Sequence, residues 1–182
     1  MTSSCSSGRT SGPEIKSVDL LIDSCFSELK QAVDQGKLNN PLMVGIHTGG
    51  VWVAEALHQC MKLAEPLGKL NITFYRDDFD TLGLHPQVSP SHLPADIDGR
   101  DIILVDDVLY TGRTIRAAMN ELFDYGRPAR IWLVVLFERD GRELPITADT
   151  VGQRVHLAAD QQIHVDGPDP LIANIVTREE NA

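Results

Sequence analysis

The chain has 182 residues, 42% hydrophobic and 23% charged, with 16 Lys and Arg against 26 Asp and Glu and a net charge of −10 at pH 7. That length supports one substantial core and is short for two, and the composition is that of a soluble globular domain. The negative balance argues against a protein that coats nucleic acid non-specifically, and no stretch reaches the ~18 consecutive apolar residues of a membrane span, so no membrane partner is expected.

Residues 1–13 are rich in Ser and Gly and lack the apolar core of a secretory signal, which predicts a disordered tail ahead of a single domain over 14–182. Cys5, Cys25 and Cys60 are odd in number and lack metal-ligand spacing. They suit a reducing, cytoplasmic compartment, with Cys25 and Cys60 as buried small hydrophobes. Between Ile15 and Val33, apolar residues at 18, 21, 22, 25, 26, 29 and 33 recur at helical spacing and predict an amphipathic helix ending near Gly36. Leu42–Ile46 predicts a short strand that stops at His47-Thr48-Gly49-Gly50, and a helix follows with Val51, Ala54, Leu57, His58 and Met61 on or near one face.

Asn71–Tyr75 predicts a second strand, rich in β-branched and aromatic residues and ending in Arg76-Asp77-Asp78. Between Arg76 and Arg100 there is no Lys or Arg, and Pro86, Pro90, Pro94, Gly83 and Gly99 predict a long loop, with a mobile lid over about 79–99. Residues 102–105 predict a third strand, and 113–124 a helix with Ile115, Ala118, Met119 and Leu122 inward, stopped by Gly126 and Pro128. Ile131–Phe137 is apolar throughout, as in a central parallel strand covered on both faces. Strand, helix, strand repeats predict an α/β fold: an open, mostly parallel sheet flanked by helices, with its ligand beyond the carboxyl ends of the strands.

Three polar clusters fall at those ends: Thr48-Gly49-Gly50, Arg76-Asp77-Asp78, and Asp106-Asp107 leading into Thr111-Gly112-Arg113-Thr114. Adjacent carboxylates after an apolar strand do not bury cheaply without partners. They suit the vicinal hydroxyls of a sugar and a hydrated magnesium ion. Thr111 and Thr114 offer hydroxyls, and Gly112 lets backbone amides at the start of a helix approach a phosphate. The bland alternatives are an ordinary helix cap at Thr111 and a plain tight turn at Gly49-Gly50. Arg76 and Arg139, at strand ends, suit the neutralisation of departing phosphate, or simply solvation. No Walker A frame and no Gly-x-Gly-x-x-Gly fingerprint is present, which argues against nucleoside triphosphatases and nicotinamide enzymes. His85 and His92 are read as loop histidines, not catalysts.

The block Val105–Thr114, an apolar run, two acids, three variable residues and Thr-Gly-x-Thr, resembles the phosphoribosyl pyrophosphate (PRPP) motif of type I phosphoribosyltransferases. With Val44-Gly45-Ile46, Leu70–Phe79, and Arg142-Glu143-Leu144-Pro145-Ile146 followed by Ala148-Asp149, residues 15–178 resemble the family of bifunctional pyrimidine operon regulators and uracil phosphoribosyltransferases. The resemblance implies a type I phosphoribosyltransferase-like sheet with a small hood, from about 140–178, and a flexible lid. It implies transfer of the phosphoribosyl group of PRPP to uracil, giving UMP and pyrophosphate with Mg2+.

By motif position, the resemblance places Asp106 and Asp107 on the ribose hydroxyls and the metal, and Val108, Leu109, Tyr110, Thr111, Gly112, Arg113 and Thr114 in the PRPP loop, where the 111–114 turn takes the 5-phosphate. Thr48, Gly49 and Gly50 fall on the pyrophosphate loop. Arg139 takes the basic, catalytic position near pyrophosphate, and Thr150, Val151 and Gly152 fall in the hood that covers the base. It also implies a homodimer or homotetramer, and an RNA hairpin as a further partner. This chain departs from the family pattern in having Gly49 where an arginine is common, Thr150 where an aromatic is common, and Thr147 and Gln153 at commonly basic positions. Those departures leave a second reading beside the enzyme: a weakly catalytic sensor of PRPP or UMP, with or without control of RNA.

Overall fold

The computed structural model describes residues 14–72 and 90–177. The predicted tail 1–13, the end of the second predicted strand, Arg76 and the first half of the predicted lid lie outside the described residues.

Helix α1 (Val18–Asp34) buries Val18, Leu21, Ile22, Cys25, Leu29 and Ala32, the face set by the predicted helical spacing. It begins three residues later than Ile15, the first residue of the periodic stretch. Strand β1 (Leu42–Ile46) is buried along its whole length and leads into helix α2 (Gly49–Met61), then β2 (Gly68–Leu70). Strand β3 (Asp101–Leu109) is followed by α3 (Arg113–Tyr125), β4 (Arg130–Arg139) and β5 (Thr150–Val155). A separate antiparallel hairpin pairs β6 (Gln161–Asp166) with β7 (Ile172–Thr177).

The main sheet has strand order β2-β1-β3-β4-β5, and every pairing in it is parallel. α1 and α2 cover one face, where Leu21, Leu29, Val53 and Leu57 pack on Ile103, Val105, Val134 and Leu136. α3 covers the other, where Ile115, Ala118 and Leu122 meet Leu104, Leu133 and Val135. Each fully buried Leu, Ile or Phe side chain contributes about 1.5–3 kcal/mol relative to exposure, so these two layers are the main source of stability. The hairpin joins the α1–α2 side through Val165, Leu171 and Ala173.

Four expectations change. β3 continues through both acids to Leu109 instead of stopping at 105, because β4 is long enough to pair with it: Asp106 lies opposite Val135 and Val108 opposite Phe137. Cys60 is exposed whereas Cys25 is buried: position 60 keeps the helical spacing of Val53 and Leu57 but lies in the last turn of α2, past Leu57, the last buried residue of that helix. Burial, with Glu28 adding to it, pushes the Cys25 thiol up to about 12, so it stays an inert core group. The second strand is Gly68–Leu70, just before the predicted stretch, of which Asn71 and Ile72 are described. Residues 90–99, the second half of the predicted lid, belong to the fixed body: His92 bridges Lys69 through two backbone bonds of 2.8 and 2.7 Å, Ile97 is buried, and the Asp98 carboxylate accepts from the Arg127 amide.

α2 lies close on β1 because Gly45 has no side chain. A Cβ there would sit 2.8 Å from the Val51 Cα and 2.9 Å from the Ala54 Cβ. Gly45→Ala is therefore expected to destabilise the fold by about 1–3 kcal/mol through overpacking, read as a lowered denaturant midpoint with an unchanged slope.

Candidate active site

The strand order reverses between β1 and β3: from β1 the chain crosses outward to β2, then returns to place β3 on the other side. In such sheets the crevice beyond the carboxyl ends of the two strands at the reversal is the ligand site. Here it is formed by two predicted clusters that meet in space. A Cβ on Gly49 would lie 2.1 Å from the Asp107 Oδ2, and one on Gly50 would lie 2.7 Å from the Val105 carbonyl oxygen and 2.9 Å from the Asp106 Cα. The glycines are thus the shape that lets the first turn of α2 rest on the acidic pair. An arginine at 49 would need the space that the Asp107 carboxylate occupies.

The peptide bond from His47 to Thr48 is cis. Thr48 is the exposed residue before α2, and its carbonyl takes the first helical bonds, from the amides of Val51 and Trp52. The Gly49 and Gly50 amides precede those bonds and belong to the unpaired first turn of a helix, which favours anions. Asp106 is 3% exposed and its Oδ1 accepts from the Asp107 amide at 3.1 Å, while Asp107 Oδ1 accepts from the Val108 amide at 3.0 Å. Asp107 is the more accessible of the two. Val108 and Leu109 send their side chains to the two cores, one to each face.

Beyond β3 the chain turns sharply. Gly112 has a φ of +94°, a left-handed value that glycine adopts without strain. The Thr111 hydroxyl accepts from the Arg113 amide at 3.2 Å, and Thr114 follows, half-buried in the first turn of α3. The segment after β4 covers this turn. The Thr111 carbonyl accepts the amides of Glu143 and Leu144 at 3.0 and 3.1 Å. Arg113 donates through Nε and Nη2 to Glu143 Oε2 at 2.9 and 2.6 Å, and Arg142 donates to the Tyr110 carbonyl. Sequence reasoning assigned no role to Arg142, Glu143 or Glu138. The signal was the alternation of signs along 138–143, much of which is a set of ion pairs.

Arg139 is not a free strand-end cation. It is 8% exposed, its guanidinium stacks 4.1 Å from the centre of the Tyr110 ring, and Nη1 donates to the Gln161 carbonyl at 2.7 Å. Its Nε is buried with no hydrogen-bond partner among the described residues. Thr150 also differs from the expected base platform. It is 1% exposed and its hydroxyl accepts from the Trp132 indole at 3.1 Å, so its side chain is a core contact. Gly152 faces α1, where a Cβ would lie 2.6 Å from the Leu136 carbonyl oxygen and 3.2 Å from the Leu21 Cβ. Val151 alone of the three packs toward the α3 side, beside Ile146. Arg76 lies outside the described residues.

At the mouth of the crevice, burial and the nearby Lys69 charge hold the His47 imidazole below its usual range, with Glu55 acting in the opposite direction. The folded chain thus favours neutral His47. Its contribution to stability is present above the ordinary imidazole value of about 6.5 and is lost as pH falls below that toward the lowered folded value, where the unfolded chain binds the extra proton. Acidification from about pH 7.5 to 5.5 is expected to lower the thermal midpoint, and His47→Gln to reduce that drop. An equal drop in both proteins would assign the effect to another group.

Comparison with known proteins gives the same assignment for most of the chain. A family model described as phosphoribosyl transferase domain matches residues 14–168. The bifunctional protein PyrR of Nitrosococcus oceani is 55% identical over 161 residues, 87% of this chain and 91% of that protein. The bifunctional protein PyrR of Pseudomonas paraeruginosa is 54% identical over 151 residues, 83% of this chain and 89% of that protein. Among solved structures, a hypoxanthine phosphoribosyl transferase of Trypanosoma cruzi superposes with a TM-score of 0.60 at 23% identity, covering 80% of this chain and 79% of that one. These structures share the fold.

Proposed function

We propose that this chain, which belongs to the phosphoribosyltransferase family and within it to the PyrR proteins, transfers the 5-phosphoribosyl group of PRPP to N1 of uracil. The bond from C1 to the pyrophosphate oxygen breaks, a bond from C1 to N1 forms, the N1 proton is lost, and UMP and pyrophosphate leave. One observation carries this reading: the Gly49-Gly50 turn and the Asp106-Asp107 pair are packed against one another at the strand-order reversal. A donor with pyrophosphate at one end of a ribose and phosphate at the other matches a site with helix-start amides at 49–50, carboxylates at 106–107 and a second phosphate turn at 111–114.

In this reading Asp106 and Asp107 accept the ribose hydroxyls. The 111–114 turn fixes the 5-phosphate, and the 48–50 turn holds pyrophosphate as charge builds on it. Positioning the acceptor and donor in one crevice removes most of the entropic part of the barrier, so no protein nucleophile is needed. Arg139, buried on Tyr110, holds that residue of the PRPP loop against the β6–β7 hairpin. β5 is the end strand of the sheet, and main-chain groups on the outer edge of such a strand, around Val151, suit recognition of a pyrimidine edge.

Phosphoribosyltransferases of this family generally take PRPP with Mg2+. Among the described residues no group of three or more His, Cys, Asp or Glu gathers for a metal. Asp106 and Asp107 would hold the ion through their carboxylates, and it would there supply positive charge to the leaving pyrophosphate.

The enzyme reading gains over the weak sensor because both departures that favoured the sensor have structural causes: Gly49 makes room for Asp107, and Thr150 belongs to the core. A second role in pyrimidine gene regulation accords with the word bifunctional in the names of the relatives. Three arginines near the site are paired with acids, Arg113 with Glu143 and both Arg142 and Arg154 with Glu138, which takes that charge from an RNA hairpin. A homodimer or homotetramer is part of the same proposal.

Purified protein with magnesium and PRPP is expected to release pyrophosphate with uracil and not with hypoxanthine, guanine or orotate; no release with uracil above background would end the enzyme reading. Gly49→Ala is expected to lower kcat/KM for PRPP by more than about tenfold, because the new methyl displaces the Asp107 carboxylate from the crevice. A folded Gly49→Ala protein with unchanged kinetics would remove that contact from the mechanism.

A further inference from the structure

Tyr110 and the first three residues of the phosphate turn are each met by the segment that follows β4. The Tyr110 carbonyl accepts from Arg142 Nη1. The Thr111 carbonyl accepts from the Glu143 and Leu144 amides. Gly112 is closed on its open side by Leu144 and Ile146, whose Cβ atoms lie 3.4 and 3.5 Å from where a Cβ would stand. Arg113 is paired with Glu143. Within itself, the turn has the bond from the Arg113 amide to the Thr111 hydroxyl.

Arg142 is the anchor of the covering segment. Its second nitrogen, Nη2, donates to Glu138 Oε1 at 2.8 Å, and the other oxygen of Glu138 accepts from Arg154 Nε at 2.9 Å. Glu138 is the penultimate residue of β4, opposite Leu109 at the end of β3. The guanidinium therefore ties the Tyr110 carbonyl to the rigid end of the sheet, using the fork geometry that lysine lacks. Its side chain is 24% exposed and that of Glu138 17%, so the pair is shielded enough for its geometry to persist.

We infer that Arg142–Ile146 is the template that shapes the 5-phosphate turn, with Arg142 as a positioning residue for PRPP that does not itself touch it. The inference rests on the proposed PRPP site and adds a part to it. A template of this kind acts on one substrate: it sets the amides that receive the 5-phosphate and leaves the acceptor site alone. It also gives Arg113 a stated task. With its guanidinium paired to Glu143, Arg113 fastens the turn from the other end, and the phosphate is received by main-chain amides and threonine hydroxyls.

The test measures PRPP binding by calorimetry with magnesium and no base, then steady-state kinetics with PRPP and uracil varied separately, on the full chain. Arg142→Gln is expected to weaken PRPP binding and raise its KM on the order of tenfold, with KM for uracil at saturating PRPP within about twofold of the parent. Arg142→Lys restores only part of the loss, because one ammonium replaces a two-pronged donor. Glu143→Gln, at a half-exposed pair, is expected to raise KM for PRPP severalfold, and it decides the matter alone should Arg142→Gln fail to fold. PRPP binding unchanged in these variants, or KM values for PRPP and uracil rising together, would overturn the inference. A parent protein that binds PRPP while its variants bind it equally well sinks the template alone; a parent that binds no PRPP sinks the site itself.

Discussion

The contact between the first turn of α2 and the end of β3 is the constraint on which the rest of the site depends. Two helix-start residues must lie almost on top of two carboxylates, at distances that leave no space for a Cβ on either glycine. Adjacent carboxylates in that position repel one another and resist burial. The amides of Asp107 and Val108, each donating to the carboxylate of the preceding residue, offset part of that cost. The close approach exists because the sheet order reverses between β1 and β3, bringing their carboxyl ends side by side while α2 and α3 leave toward opposite faces. Gly45, one turn below, extends the same requirement into the core by letting α2 sit directly on β1. Topology, close packing and the crevice are thus one arrangement seen at three scales.

A second layer of organisation comes from the segment after β4. The turn from Thr111 to Thr114 follows a nine-residue strand, and the segment 142–146 meets residues 110–113 one after another. Tyr110 has two close neighbours: Arg139 stacks on its ring, and the backbone of Gly141 passes so close that a Cβ there would lie 2.3 Å from the ring edge. Arg139 in turn reaches the first residue of β6. Donor loop, covering segment and hairpin are therefore mechanically continuous, and a group that binds the loop works against supports anchored in the sheet.

Much of this was legible in the sequence, and the parts that were not share a physical cause. Helical spacing on α1, the unbroken apolar run of β4 and the acid pair followed by Thr-Gly-x-Thr are local patterns, and they located the elements and the turn between β3 and α3. Three readings depended on which face of the sheet a residue presents, which local pattern leaves open. Arg139 lies under Tyr110 because β4 runs on to that residue. Thr150 turns into the core because β5 pairs with Val134 in the register that puts it beside Trp132. Gly152 serves the α1 contact for the same reason of register. A one-residue shift in pairing would invert each of these faces. Arg142 and Glu143 were hidden differently: their partners at 110, 111 and 113 are some thirty residues away, and only the fold brings them together.

The charge balance of the chain completes the argument. A protein of net charge −10 is proposed to hold a ligand carrying several phosphate charges, so long-range attraction is not what assembles the complex. Near the site, Arg113, Arg142 and Arg154 are all occupied by Glu143 and Glu138, and the charge of Arg139 is turned onto an aromatic ring. In the proposed complex the phosphates would be received mainly by main-chain amides at two helix starts and the hydroxyls beside them, groups that act only at short range and in fixed directions. In the proposed reaction, magnesium carried with the donor would add the cationic charge that these side chains withhold. Recognition built this way depends on the exact placement of the turns, which is why glycines without room for a methyl group, and acids that hold arginines in place, matter more here than the count of basic residues.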